Sequence, residues 1–440
     1  MLFRRGQAPY VIVFILSIPA PNLREVRKGI PMSDTVKEPA RELAVIASAE
    51  VVVLGGGPAG VAAAIAAGRL GRDVLLVERY GCLGGLATGG LVIALDTYGP
   101  RGRVLMSGLA VEFRDRLYAR NAAHNPETHS HESPVYDPEV LKHVALEMVE
   151  EARVRLLLHA WGVGAVVEDD RIAALIVESK SGRQAIRGQV FIDCSGDADL
   201  AAWAGVGHQI SRSPLGLGLN ARIGGVDYAR FRRFQQEEPE QWTALRQEIV
   251  KSNFWVPSPG WRNDVVWLNT YFPGDALDVS HLTACEVELR KRIVRACEFY
   301  RARLPGFAQA TLLDTASQVG TRESRRIEGE YTLTEADLTR AGSPDSIGVG
   351  VCWTGPHAAQ AFAFPYRCLV PKRVDNLLFA GRCISADHQA HQNTRVIPNC
   401  IVTGQGAGTG AAVALATGRT PRRISVQELQ RALRSQGVEV

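Results

Sequence analysis

The stretch that most constrains the chain runs from Val51 to Arg79 and reads VVVLGGGPAGVAAAIAAGRLGRDVLLVER. An apolar β-branched run, Val51-Val52-Val53-Leu54, meets Gly55-x-Gly57-x-x-Gly60. An alanine-rich helical segment follows, and a second apolar run closes on Glu78. This is a complete βαβ unit with the spacing of a dinucleotide fingerprint. Gly55 makes the tight turn, Gly57 admits backbone to a pyrophosphate, and Gly60 lets the helix lie close on the sheet. Pro58 and Ala59 open that helix, whose free N–H groups and positive dipole end suit a phosphate. Glu78 falls where an acid receives ribose hydroxyls, and Arg79 follows it.

A second glycine-dense turn, Gly81 to Gly90, comes next, and Gly84, Gly85, Leu86, Ala87 and Thr88 are expected to face the same ligand. Cys82, with no base or partner thiol nearby in sequence, reads as a small buried residue. Leu105, Leu109, Phe113 and Leu117 predict an amphipathic helix over Arg103 to Arg120. The polar stretch to Pro134 contains His129-x-His131, which reads as solvated loop because no third ligand lies close. Asp137-Pro138-Glu139 caps a helix running to about Ala152. Runs at Arg155–Leu158, Val163–Glu168, Ile172–Ser179 and Gln184–Arg187 read as a β-meander. Gln189 to Asp193 is a buried-strand pattern leading to Cys194-Ser195-Gly196-Asp197-Ala198-Asp199. That segment is either a second pass beneath the nucleotide or an ordinary Asp-capped turn.

From Val206 to Pro365 aromatics crowd the chain, and Ile293, Cys297, Tyr300 and Leu304 repeat at helical spacing. This reads as an inserted second domain, with no aromatic assigned to a site. Asn376 to Arg382 is a strand entering a glycine turn. Gly404 to Gly410 opens a small-residue helix whose N-terminus is aimed at a ligand or whose glycines permit close packing.

Composition excludes several classes. With 46% hydrophobic and 22% charged residues among 440, the chain is globular. A net charge of +4 without a dense Lys/Arg stripe argues against nucleic acid. Eight scattered cysteines without a CxxC pair indicate free thiols, a reducing compartment and a cytoplasmic protein. Residues 1–31 imitate a signal peptide, and export is the alternative if that segment is genuine. The apolar run Tyr10 to Leu16 is too short for a membrane span. The favoured account is a start at Met32, with the upstream residues a mis-called extension.

The fingerprint with Glu78-Arg79, the Gly81–Gly90 turn, Phe191-Ile192-Asp193-Cys194-Ser195-Gly196-Asp197-Ala198-Asp199 and Leu378-Phe379-Ala380-Gly381-Arg382 together resemble FAD-dependent oxidoreductases of the glutathione-reductase-like superfamily. Four further motifs narrow the resemblance. They are Gly320-Thr321-Arg322-Glu323-Ser324-Arg325-Arg326, Glu330 to Thr334, Tyr366 to Pro371, and His388-x-x-His391 with Arg395-Val396-x-Pro398. They are similar to a bacterial group distantly related to the fumarate reductase and succinate dehydrogenase flavoproteins.

The resemblance implies an α/β fold: a Rossmann-type FAD-binding domain with a β-meander, discontinuous in sequence, plus an inserted α+β substrate domain. Residues 1–45 would be an N-terminal extension, 46–205 and 366–420 the two parts of the FAD-binding domain, 206–365 the substrate or cap domain, and 421–440 a tail. It also implies FAD contacts at Val163, Cys194, Ser195, Gly196 and Asp199. Gly381 and Arg382 would lie near the pyrophosphate or ribitol, with Val396, Pro398 and Gly404 near the flavin ring. Relatives that attach FAD covalently use a histidine in the Gly81–Gly90 turn, and none occurs there, so binding should be noncovalent. A second fingerprint and a redox cysteine pair are missing, so electrons would pass through the substrate or an external donor or acceptor.

Flavin chemistry needs a group to anchor substrate and one to handle a proton. Arg322, Arg325, Arg326 and Arg395 are the anchoring candidates, although Arg325-Arg326 reads more readily as an ion pair with Glu328 or Glu330. His388 and His391 are the candidates for proton transfer. The expected activity is hydride transfer between FAD and a small organic substrate, a carboxylate among the choices. Two alternatives are a thiazole-synthase-like enzyme that consumes a bound dinucleotide and a non-catalytic flavin-binding protein. No metal is expected, and the oligomeric state stays open.

Overall fold

Four consecutive apolar residues can be buried on both faces only in the middle of a covered parallel sheet, and that is where β1 (Val45–Leu54) lies in the computed structural model. The structure describes residues 35–340 and 342–440, so the signal-like segment and Met32 lie outside the described residues. β2 (Val74–Val77) runs parallel to β1, with Val51 opposite Val74 and Leu54 opposite Val77. β3 (Arg155–Leu157) continues the sheet beyond β2. On the other side of β1 lies β6 (Gly182–Asp193), and β14 (Leu377–Phe379) pairs in parallel with its last residues. The first half of β6 also pairs antiparallel with β5 (Arg171–Ser179), which pairs with β4 (Trp161–Glu168). The meander is therefore grafted onto the parallel sheet through one shared strand.

Two sequence expectations are corrected here. Gln184–Arg187 and Gln189–Asp193 form one strand, because pairing with β1 continues from Ala185 to Asp193 without a turn. The helix expected from Arg103 is shorter: α2 spans Leu109–Tyr118. Leu105 N–H donates to the Tyr98 carbonyl, and Gly108, at φ 65°, turns the chain into the helix. α3 (Pro138–Glu151) starts where Asp137 accepts the Glu139 N–H.

α1 (Pro58–Arg69) covers one face of the sheet and α6 (Ile397–Thr417) packs against α1. Glycine makes that approach possible. A Cβ at Gly404 would sit 2.1 Å from the Ala59 carbonyl oxygen, and one at Gly408 would sit 2.0 Å from that of Ala63. Every residue from Ile397 to Ala414 is buried.

A second sheet is built from β7 (Leu217–Gly224), β8 (Ser258–Pro259), β9 (Val265–Phe272), β10 (Thr311–Thr315) and β11 (Gly320–Thr321). The order is β8-β9-β7-β10, with β11 also paired to β7. Strand alternation sorts its two faces. Leu217, Leu219, Ala221 and Ile223 share a core with Val266, Leu268 and with Cys285, Leu289 and Ile293 of α4 (Val279–Arg303). The opposite face carries Gly218, Asn220, Trp267, Asn269 and Tyr271, and it meets the first unit: Asn220 donates to the Gly90 carbonyl and Trp267 to that of Leu91. β12 (Ser346–Val351) and β13 (Ala361–Pro365) form a hairpin whose Ile347, Val351, Phe362 and Phe364 join the first core. Residues 325–365, grouped with the inserted unit on sequence, thus contribute apolar side chains to the first core.

Candidate active site

The fingerprint turn is built as its glycines require. A Cβ at Gly60 would lie 1.7 Å from the Gly55 carbonyl oxygen and 3.2 Å from the Cys194 Cβ, so helix, turn and the end of β6 are pressed together. Gly57 is open instead, its nearest neighbour being the Gly85 Cα at 4.0 Å. No side chain caps α1, and Pro58 takes its first position, which leaves the Ala59 and Gly60 N–H groups free at the positive end of the helix. Glu78 is 6% exposed; one carboxylate oxygen accepts the Gly56 N–H at 2.6 Å and the other the Tyr80 N–H at 2.9 Å. Arg79 donates to Gln318 and stacks over Tyr80 and Trp161.

The glycine-dense turn folds over this mouth, with the Gly84 N–H on the Gly56 carbonyl. Thr88 secures it by donating to the Leu83 carbonyl, and Tyr136 does so by donating to that of Ala87. Leu86 packs under Gly90. At the end of β6, Ser195 donates to Asp193 and accepts the Asp199 N–H. Gly196 faces Arg382, which ion-pairs with Asp197 at 2.9 Å. Burial pushes the Asp197 carboxyl up, but Arg382 and the Ser324 hydroxyl outweigh it and the net direction is down. Asp199 pairs with Arg325 at 2.9 Å; burial, helped by Asp197 and Asp193, raises it to about 6. Asp199, expected at the cofactor, is thus tied to Arg325, and Arg325 pairs with it and not with Glu328 or Glu330. Gly381 abuts Ala59, so the closing strand-turn meets the first helix.

Val163 sits at a bulge of β4, and its side chain packs with Leu43, Ala174, Ile176 and Ala185.

At the other end, α5 (His388–Thr394) leads through Arg395 and Val396 into Ile397 and Pro398 of α6. The histidines are placed differently from expectation. His391 is fully buried, and its Nε2–H donates to the Arg382 carbonyl at 2.8 Å. Burial first, and Arg395 second, push its pKa well below the ordinary value. The ring thus holds the Arg382 carbonyl, and its Nδ1 is buried without a partner. His388 is 47% exposed, with Nδ1 3.1 Å from Glu323 Oε2. Glu323 accepts from Gln392 at 2.7 Å, and Gln392 in turn accepts from Arg395 at 3.0 Å. His388 thus reaches Arg395 only through two intervening side chains.

Arg395 and Arg322 do come together, from α5–α6 and from the chain after β11. Arg322 donates to the Tyr271 hydroxyl at 2.9 Å and lies over its ring. Burial, then Arg322, push the Arg395 guanidinium down, while Asp96 pulls it up. Asp96 is the residue that sequence reasoning missed. It sits in an extended segment after the glycine-dense turn, partly buried, and burial raises its carboxyl to about 6 against the pull of Arg395 and Arg322. Its signal was a charge in the otherwise apolar run Leu91 to Leu95 and beyond, next to a ligand-facing turn. His129 donates from Nδ1 to the Ser133 carbonyl, and no group of acidic, histidine or cysteine side chains among the described residues is arranged to hold a metal.

An uncapped helix start, an open Gly57 and a buried acid two turns of chain away fit the diphosphate and ribose of a dinucleotide. A family model for FAD dependent oxidoreductases matches residues 50–433. The chain belongs to that family. FAD is accordingly its cofactor, and it is an enzyme, which sets aside a non-catalytic flavin-binding protein. Among curated proteins no sequence matches. Solved structures similar to it include a geranylgeranyl bacteriochlorophyll reductase-like protein from Thermoplasma acidophilum, at 14% identity and TM-score 0.43 over 88% of this chain and 83% of that one. The p-nitrophenol 4-monooxygenase PnpA from Pseudomonas putida DLL-E4 is similar at 12% identity and TM-score 0.46, again over 88% and 83%. The flavin-dependent brominase Bmp2 is similar at 14% identity and TM-score 0.44 over the same shares. No helix among the described residues of this flavoenzyme is long and apolar enough to cross a membrane.

Proposed function

We propose that this oxidoreductase holds FAD noncovalently and exchanges hydride between it and a small organic carboxylate anchored by Arg322 and Arg395. The observation that carries this reading is an unmatched pair of cations. Arg322 and Arg395 repel one another, neither has a carboxylate within ion-pair distance among the described residues, and the Arg395 Nε is buried without a partner. Such an arrangement is costly until an anion arrives, and a guanidinium suits a carboxylate through two parallel hydrogen bonds.

On this reading the cofactor is held by the α1 N-terminus, Gly57, Glu78, the Gly84–Thr88 turn, Gly196 and Arg382. When bound, it accepts or supplies the hydride. Tyr271 fixes the Arg322 guanidinium, and the chain from Glu323 through Gln392 fixes that of Arg395. The two parts of the FAD-binding unit supply Asp96 and Arg395, and the inserted unit supplies Tyr271 and Arg322. An external donor or acceptor completes the electron flow. Eight cysteines without a disulfide favour a cytoplasmic location.

Anaerobic screening of small carboxylates for bleaching of the flavin band tests the proposal. Arg395→Met and Arg322→Met are expected to raise KM for any substrate found by about 100-fold each, on the scale of a lost charged hydrogen-bond pair. A substrate that lacks any anionic group, turned over equally well by both variants, overturns it.

A further inference from the structure

Tyr271 holds one hydrogen that no side chain or carbonyl receives. Its phenol oxygen accepts from Arg322 Nη1 at 2.9 Å and from Asn269 Nδ2 at 2.7 Å. A phenol oxygen has two acceptor positions and one O–H, so both acceptor positions are filled and only the O–H is left to bond. Among the described residues nothing accepts it. Asn269 is turned the same way: its Nδ2 goes to the phenol while its Oδ1 stays buried without a partner. Buried polar atoms are normally paired, so a ring fixed by two donors with its own donor unused is set for a visitor.

The position of that ring is built into the sheet. Gly218 of β7 lies directly across from Tyr271 of β9. A Cβ at Gly218 would sit 2.9 Å from the ring Cε1 and 3.1 Å from Cδ1, so only glycine lets the ring lie down over β7. Trp255 meets the ring nearly edge-on, with centroids 5.6 Å apart, and the Arg322 Cζ lies 5.5 Å from its centroid. Tyr271 also acts on the buried Arg395 guanidinium, which puts the phenol within electrostatic reach of both cations.

Resting on the carboxylate reading, we infer that Tyr271 is a substrate-binding residue whose O–H donates to the carboxylate anchored by Arg322 and Arg395. The anion is the part of the substrate held nearest Arg322, whose own nitrogen is hydrogen-bonded to the phenol. A carboxylate has about four lone-pair sites, room for a third donor beside two guanidiniums. A neutral O–H fills that place without adding to the repulsion between the arginines, and O–H···O⁻ bonds are among the short, strong ones.

Binding of acetate, propionate and butyrate to the FAD-loaded protein, followed by calorimetry and by the shift of the flavin spectrum, tests the inference without turnover. Tyr271→Phe is expected to weaken the tightest of the three by about tenfold or more, the scale of one hydrogen bond to a charged acceptor. FAD content and melting midpoint certify its fold. Because phenylalanine also frees Arg322, a second variant carries 3,5-difluorotyrosine at position 271, in mildly acidic buffer where a fluorinated phenol keeps its proton. The fluorines make the hydroxyl a better donor and its oxygen a poorer acceptor. Direct contact therefore predicts tighter carboxylate binding than wild type, whereas a role confined to holding Arg322 predicts weaker binding. Undiminished affinity in Tyr271→Phe, or unchanged or weaker affinity in the fluorinated protein, would each overturn the inference while leaving the carboxylate reading standing. Failure of all three probes to bind wild type, together with unchanged spectra in Arg395→Met, would instead remove the carboxylate reading and this inference with it.

Discussion

Substituting Gly408 by Ala asks whether the α1–α6 contact is as rigid as its geometry implies. The new Cβ would lie 2.0 Å from the Ala63 carbonyl oxygen, and 2.8 Å and 2.9 Å from the Ala63 carbonyl carbon and Cα. All three are backbone atoms, so no side chain can swing away. Two carbon or oxygen atoms rest at about 3.5 Å, so the helices would have to separate by more than about 1 Å, losing dispersion contacts along the seam. Overpacking of this kind costs about 3 kcal/mol, and alanine returns about 1 kcal/mol of helix propensity, leaving about 2 kcal/mol of destabilisation. For a chain this long that lowers the melting midpoint by about 2–4 °C, with a matching fall in the urea midpoint. Gly406→Ala is the control in the same helix. There the nearest atom is the Ile347 Cδ1, the free end of a side chain, so the loss should be smaller. A Gly408→Ala protein that melts at or above wild type would refute the reasoning, since propensity would then outweigh a backbone clash.

Three further outcomes are expected. Asp96 faces Arg395 and Arg322 and also influences Tyr98, Tyr136 and Cys400. Its folded pKa of about 6 lies above the unfolded value, so its contribution is favourable below about pH 4 and is lost as pH rises through 6. Asp96→Asn should therefore gain up to about 2 kcal/mol over wild type at pH 7–8 and nothing at pH 4, read from melting midpoints of the FAD-free protein; equal gains at both would contradict the sign. Glu78→Gln, which weakens the charge-assisted bond to the Gly56 N–H, should release FAD on dialysis about tenfold more readily, measured as the ratio of visible to protein absorbance. With Cys82 the one cysteine that is not buried, a thiol reagent should titrate one group in the native protein and eight after unfolding in urea; rapid reaction of several native thiols would show that the interior opens.

The parts of the molecule governed by local rules were legible in the sequence. The fingerprint, the Asp137-Pro138 helix start and the meander each depend on neighbours a few residues away. The reactive end was not, because its meaning is long-range. Asp96 carries no periodicity, and it becomes informative only when Arg322 and Arg395 arrive from two other segments. The pair His388-x-x-His391 looked chemical by type, yet packing buries one ring against the Arg382 carbonyl and leaves the other half in solvent. The helix from Arg103 failed for a local reason that spacing hides: Leu105 is used in an extended pairing and Gly108 sets the start. Arg325, weighed on sequence as an ion-pair partner of Glu328 or Glu330, pairs with Asp199 instead.

The sealed environment of α6 also bears on how the polypeptide is made. The alanines of α1 leave the ribosome long before the residues that cover them, Ile397 to Ala414, are translated. Until then the N-terminal unit displays an apolar strip with no lid. Chains interrupted before that helix would carry the complete glycine fingerprint and still be unable to close around it, so they are expected to be substrates for chaperones and proteases and not smaller working flavoproteins.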